Sequence, residues 1–235
     1  MIRSFFLLLS LCLFLSIPSC DYIEDPDGNN QPPPVPCSDT PSFTPRIDPV
    51  RKVLLEDYTG HRCGNCPNAG TILKDLISAN PDQVIGLAIH AENAGYFTAP
   101  KNDGDKFRHD FRNEVSNTLD AEFQIAATGL PKGMVNRKAF NGTKALPPST
   151  WNQAVNTELA LDIQADVQLA AEWNETDRSL CVFAFVESRS SALPSNLKLA
   201  VYLAEHKFVN WQADYSVPGE EIENYEHNHI LRTAI

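Results

Sequence analysis

Two cysteines, Cys63 and Cys66, flank Gly64-Asn65 directly after the apolar run Val53-Leu54-Leu55-Glu56-Asp57-Tyr58 and open a helical pattern through Leu73, Leu76 and Ile77. Cysteines so spaced in the first turn of a helix can close a small disulfide ring. The free N–H groups and positive dipole end of that helix favour the thiolate of the first cysteine. A thiol near pKa 8.5 is only about 3% ionised at pH 7, whereas one shifted to about 7 is roughly half ionised. Cys63 is therefore the expected nucleophile and the more exposed sulfur, and Cys66 is expected to resolve the mixed disulfide. Arg62, and His61 when protonated, would add to the thiolate content of Cys63. His61 itself reads as an exposed loop histidine.

The elements that must position this dithiol alternate in type. Residues 53–58 read as a strand, 67–79 as a helix and 84–89 as a second buried strand, a βαβ unit with parallel strands and a right-handed crossover. Residues 91–105 are rich in Asn, Gly, Asp and Pro and read as a loop. Residues 106–123 carry Phe107, Phe111, Val115, Leu119 and Phe123 at four-residue spacing, which predicts a helix. Gly129-Leu130-Pro131 then leads into a short strand at Met134-Val135, and a helix over 150–161, capped by Ser149 or Thr150, closes a domain spanning residues 50–160. Residues 161–235 change character. Leu161, Ile163, Ala165, Val167, Leu169, Ala171 and Trp173 alternate with polar residues, and 180–186 and 197–203 supply two more strands. This predicts a β-rich C-terminal domain, an antiparallel meander forming part of a sandwich. Its apolar face has no obvious cover, so either the meander packs on the first domain or the chain is an incomplete version of a longer protein.

The first nineteen residues have the build of a signal peptide: Arg3, an apolar stretch from Phe5 to Ile17, and Ser19 before Cys20. Leu15-Ser16-Ile17-Pro18-Ser19-Cys20 resembles a bacterial lipobox, which implies acylation of Cys20 and a membrane attachment through that lipid. Residues 20–49 hold Asp21, Glu24, Asp25, Asp27 and Gln31-Pro32-Pro33-Pro34-Val35-Pro36, a stiff acidic tether. The formal charge of −11 argues against nucleic acid as a partner. In an oxidising compartment Cys63 and Cys66 are the plausible close pair, and a second bridge between Cys37 and Cys181 is possible by count.

Strand, Cys-x-x-Cys, helix, strand and a later Gly-Leu-Pro resemble the thioredoxin fold in both type and order. The resemblance implies that Asp57 is the buried acid that manages the resolving cysteine's proton. It also implies that Pro131 is the cis-proline beside the dithiol that helps to bind a partner polypeptide. The departures are Arg62 and Asn65, where thioredoxin has tryptophan and proline. Cys63, Cys66 and a histidine such as His90 are metal-binding residue types, but thioredoxin-like copper chaperones space their cysteines by three residues, so no metal or other cofactor is expected. His227 and His229 alternate along an expected strand and would share one face. Over nearly the whole length, Glu56-Asp57-Tyr58-Thr59-Gly60, Gly129-Leu130-Pro131-Lys132-Gly133-Met134-Val135-Asn136-Arg137 and Tyr225-Glu226-His227-Asn228-His229-Ile230-Leu231-Arg232 resemble the Bacteroidetes outer-membrane lipoprotein family named for its 28-kDa member.

The resulting expectation is an α/β chain: a thioredoxin-like domain followed by a C-terminal antiparallel β-meander, lipid-anchored outside the cytoplasm in the cell envelope. The expected chemistry is thiol–disulfide exchange on thiols or disulfides of envelope proteins through Cys63 and Cys66. The alternative is a non-enzymatic surface lipoprotein, an adhesin or binding module, with a structural disulfide.

Overall fold

The computed structural model describes residues 37, 40–102, 104–176, 178–191 and 197–235, so the signal, Cys20 and most of the tether lie outside the described residues. The chain divides into two compact units. In one, Cys37 and Cys181 form a disulfide with Cα atoms 5.7 Å apart. The other comprises residues 42–169 and 184–235 and contains the Cys63–Cys66 pair.

The predicted βαβ unit is present as β1 (Val53–Tyr58), α1 (Cys66–Ala79) and β2 (Val84–Ile89), with β1 and β2 parallel and in register from Val53 opposite Val84 to Tyr58 opposite Ile89. Alternation along β1 sends its side chains to two faces. Val53 and Leu55 pack with Ala69, Leu73 and Leu76 of α1. Tyr58 joins Leu87, Ile89, Leu119 and Ile125 on the opposite face. The next elements are α2 (Glu114–Phe123), β3 (Lys132–Val135) and α3 (Trp151–Leu159). β3 runs antiparallel to β1 and follows a cis Leu130–Pro131 bond.

Gly133 of β3 leaves no room for a side chain. A Cβ there would sit 2.5 Å from the Trp151 ring, and Trp151 is fully buried, with its Nε1 donating to the Leu146 carbonyl at 3.0 Å. Gly133→Ala is therefore expected to lower stability by about 1–3 kcal/mol in urea unfolding, because neither the ring nor the strand backbone can move freely. An unchanged midpoint would show that α3 shifts to accommodate the methyl group.

The helix expected from residue 106 begins only at Glu114. Phe107 has a left-handed backbone at φ 58°, and Asn113 is the N-cap, accepting from Ser116 N at 2.8 Å. Phe107 and Phe111 are still buried, but from a non-helical segment. The other Asn113 side-chain atom, Nδ2, donates to the Leu231 carbonyl at 2.7 Å, tying the start of α2 to the chain's last strand.

The C-terminal region departs further from expectation. It contains β4 (Ala165–Asn174), β5 (Ser179–Ser188), β6 (Tyr202–Glu205), β7 (Phe208–Ala213), β8 (Glu221–His227) and β9 (Ile230–Ala234). β4 and β5 form one two-stranded sheet and β7 and β8 another, while β6 and β9 join a central five-stranded sheet in the order β3-β1-β2-β9-β6. The three-stranded meander is not formed, and residue 160 does not separate two sheets. The physical reason lies in β2: its buried Leu87 and Ile89 need a neighbour, and β9 supplies Ile230 and Leu231, both fully buried. β9 is parallel to β2 through Ala88 opposite Ile230 and antiparallel to β6. Among the described residues no helix is long and apolar enough to cross a membrane.

Candidate functional site

Between the end of β1 and the start of α1 the chain makes two tight turns, Cys63 N donating to Gly60 O at 3.0 Å and Cys66 N to Cys63 O at 3.1 Å. Pro67 stands in the first turn of α1, where its missing N–H costs no helical hydrogen bond. Cys63 and Cys66 are joined in a disulfide with Cα atoms 5.4 Å apart.

The C-terminal hairpin β7–β8 and the turn between its strands close over this loop. Ala213 N donates to His61 O at 2.8 Å and Tyr215 N to Gly64 O at 2.9 Å. Gln212 Nε2 reaches the carbonyls of Gly60 at 3.3 Å and Cys63 at 3.2 Å. The Tyr215 ring lies so close to Gly64 that a Cβ there would be 2.4 Å from it. Cys63 is consequently only 2% exposed and Cys66 3%, so the expected exposure of Cys63 is not found. His61 is also fully buried rather than on an exposed loop, because the same hairpin covers its backbone. Arg62 is engaged away from its backbone, its guanidinium 3.8 Å from the Tyr96 ring centre and donating to Ala99 O at 3.0 Å.

Beneath the loop, Asp57, Thr59, Cys66, His90, Gln212 and His227 line a cavity of about 500 Å³. Cys63 and Pro131 are not among its lining residues. Burial pushes the Asp57 carboxyl up to about 8, so it is neutral at pH 7, and its Oδ1 has no hydrogen-bond partner. Burial acts oppositely on the imidazoles. His61 and His227 are lowered to about 4 and His90 well below the ordinary value, with the neighbouring histidines adding to the effect. All three rings gather around Phe111, at centroid distances of 5.3 Å for His61, 4.9 Å for His90 and 4.7 Å for His227. Among the described residues no group of three or more His, Cys, Asp or Glu side chains is placed to hold a metal ion.

The structure therefore brings Asp57 and Cys66 to one cavity, places Cys63 under the hairpin, and sets Pro131, half-buried and cis, at the entry to β3. His227 and His229 do not share a strand: His227 ends β8, and His229 lies in the following turn with φ 59°. Both nevertheless line the cavity. Gln212, Ala213 and Tyr215 went unnoticed in sequence reasoning. Nothing local marks them, since their role depends on a fold-back over a loop far away in the chain.

No curated protein matches the chain in sequence. A crystal structure of a protein from Agrobacterium tumefaciens is similar at 12% identity and a TM-score of 0.46, over 80% of this chain and 73% of that one, a likeness too distant to argue from. The family described as outer membrane protein Omp28 matches residues 117–235, just over half of the chain and the part that supplies β3, the covering hairpin and β9. This chain belongs to the outer membrane protein Omp28 family, among cell-envelope proteins.

Proposed function

We propose that this protein is a thioredoxin-like thiol–disulfide exchange protein of the cell envelope, held at a membrane by a lipid on Cys20, and that it acts on thiols or disulfides of other envelope proteins. The observation that carries this reading is the shared cavity of Cys66 and a buried, neutral Asp57 carboxyl whose Oδ1 has no hydrogen-bond partner. A bridge that only staples a fold has no use for a buried acid at that place, whereas a cysteine that must leave as a thiolate needs a proton donor. When the disulfide is reduced, the Asp57 carboxyl can give its proton to the Cys66 thiolate, and on oxidation it takes that proton back. The parallel β1–β2 pair around the dithiol helix, with β3 antiparallel to β1, also supports a thioredoxin-like arrangement. Intact-mass analysis of the mature protein tests the anchor: a start at Cys20 carrying acyl chains is expected, and a lipid-free start there or cleavage elsewhere removes it.

A second reading, a binding module with a structural disulfide, is favoured by the near-complete burial of both sulfurs. The reduction potential of the Cys63–Cys66 pair separates the two. A value between about −270 and −120 mV is expected for exchange, and one well below about −300 mV establishes the structural bridge instead.

A further inference from the structure

We infer that low-molecular-weight amino-acid thiols and their disulfides reach the Cys63–Cys66 bridge through the cavity and react at the Cys66 sulfur, with Cys63 as the leaving group. This rests on the exchange reading above and reverses the order that the sequence suggests. The two ends of the bridge face different surroundings. Over residues 60–64, the hairpin contributes two backbone hydrogen bonds and two from Gln212, and the Tyr215 ring lies against Gly64. A partner polypeptide can lie there only if the hairpin leaves. Cys66, by contrast, lines a cavity of about 500 Å³, a volume within the range of roughly 300–1,000 Å³ that small-molecule sites occupy. Lys74, His206 and Glu226, all exposed, also line that cavity. They offer an ammonium for a carboxylate and a carboxylate for an ammonium, the two charges that an amino-acid thiol carries.

The chemistry favours the same direction. An incoming thiolate attacks Cys66 Sγ, a bond forms between the two sulfurs, and the Cys63–Cys66 bond breaks with its electron pair on Cys63. The better leaving thiol is the one whose thiolate is better stabilised, and Cys63 stands just before the N-terminal end of α1, whose free N–H groups and dipole favour a thiolate there. A second thiolate then attacks the external sulfur of the mixed disulfide. The small disulfide departs, and Cys66 leaves as a thiolate that takes the Asp57 proton. Two external thiols are oxidised and one protein disulfide is reduced.

The test uses the mature protein with Cys63→Ser or Cys66→Ser, each reacted with cystine; for Cys66 this is the microscopic reverse of the second step. Rates are measured by mass spectrometry and divided by the thiolate fraction read from ultraviolet absorbance. Cys66, alone in Cys63→Ser, should be thiolated at least tenfold faster per thiolate than Cys63 in Cys66→Ser. Adding Tyr215→Ala at the exposed tip should speed the Cys63 reaction and change that of Cys66 less than twofold. In the unsubstituted protein, acid-quenched mixtures with L-cysteine should carry the cysteinyl group on Cys66, a readout that does not depend on either serine variant folding. Equal rates, or a cysteinyl group on Cys63, overturn the cavity route while leaving exchange intact. An unreactive disulfide with a potential below about −300 mV overturns the exchange reading and the route with it.

Discussion

Arg137→Ala is expected to cost about 3–5 kcal/mol of stability, because it leaves Glu56 alone in the middle of the central sheet. Glu56 is fully buried on β1, between Leu87 of β2 and Met134 of β3. Its carboxylate is held by Arg137, with Nη2 at 2.8 Å from Oε1 and Nε at 3.2 Å from each oxygen, and Arg137 also donates to Tyr202 Oη at 3.0 Å. Burial still pushes the Glu56 carboxyl above its ordinary value, so desolvation exceeds what Arg137 returns. Without the guanidinium, Glu56 would take up a proton. Holding a carboxyl of ordinary pKa near 4.3 neutral at pH 7 costs about 3.7 kcal/mol, within the stated range. Arg137→Lys should recover part of the loss, since an ammonium keeps the charge but not the two-pronged geometry. Glu56→Gln combined with Arg137→Met should lose less than Arg137→Ala, and urea unfolding of the three variants reads the comparison directly. A loss below about 1 kcal/mol for Arg137→Ala would show that water reaches Glu56 in place of the guanidinium.

That ion pair also illustrates what the sequence withholds. The run Val53-Leu54-Leu55-Glu56-Asp57-Tyr58 reads correctly as a strand because four apolar or aromatic residues outweigh two acids, yet nothing in the run says that Glu56 is buried and paired. Its partner sits beyond β3, where Asn136 and Arg137 both adopt left-handed backbones. The Asn136 side chain fixes that turn by accepting from Leu54 N at 2.9 Å and donating to Glu158 at 2.8 Å. The βαβ unit was legible because period, length and the cysteine-opened helix all agree locally. The start of α2 was not, because Phe107 and Phe111 keep helical spacing while burying themselves from a non-helical segment.

The candidate site was legible to the same depth. Cys63, Cys66 and Asp57 could be named from the end of β1 and the head of α1, and the Cys63–Cys66 bridge follows from spacing alone. Whether a sulfur faces solvent depends on what folds over it, and here that is a hairpin from the far end of the chain. Tyr225-Glu226-His227-Asn228-His229-Ile230-Leu231-Arg232 stood out as a motif, but its physical use is tertiary. Its first half lines the cavity with Tyr225 and His227, and its second half fills the sheet with Ile230 and Leu231. A histidine such as His61 is read from sequence as exposed because most loop histidines are. Its burial is a property of Ala213, Phe107 and Phe111, which pack around it.

The oxidised protein should be most stable near pH 6.5 and lose stability on both sides, because its buried acid and buried histidines are shifted in opposite senses. His61 and His227 are lowered to about 4 from 6.5, so between those values the unfolded chain binds protons that the folded one does not. Their contribution is full above pH 6.5 and is lost as pH falls, on the order of 3 kcal/mol for each ring by pH 4, with His90 acting in the same direction. Asp57 is raised to about 8 from 3.8, so the folded state holds a proton that the unfolded state releases, and stability falls as pH rises through that window. Its slope is about 1.4 kcal/mol per pH unit. Below pH 6.5 the histidines together outweigh Asp57, and above it the Asp57 titration costs about 2 kcal/mol between pH 6.5 and 8. The groups facing this cluster, His109, Asp110 and Arg232, are the same in every arm of the comparison. Asp57→Asn should abolish the alkaline decline and leave the acid limb in place. Urea midpoints across pH 4.5–8.5 provide the measurement: a flat profile above pH 6.5 in the unsubstituted protein would mean that Asp57 is ionised in the fold, and with that the proton donor assigned to Cys66 would be lost.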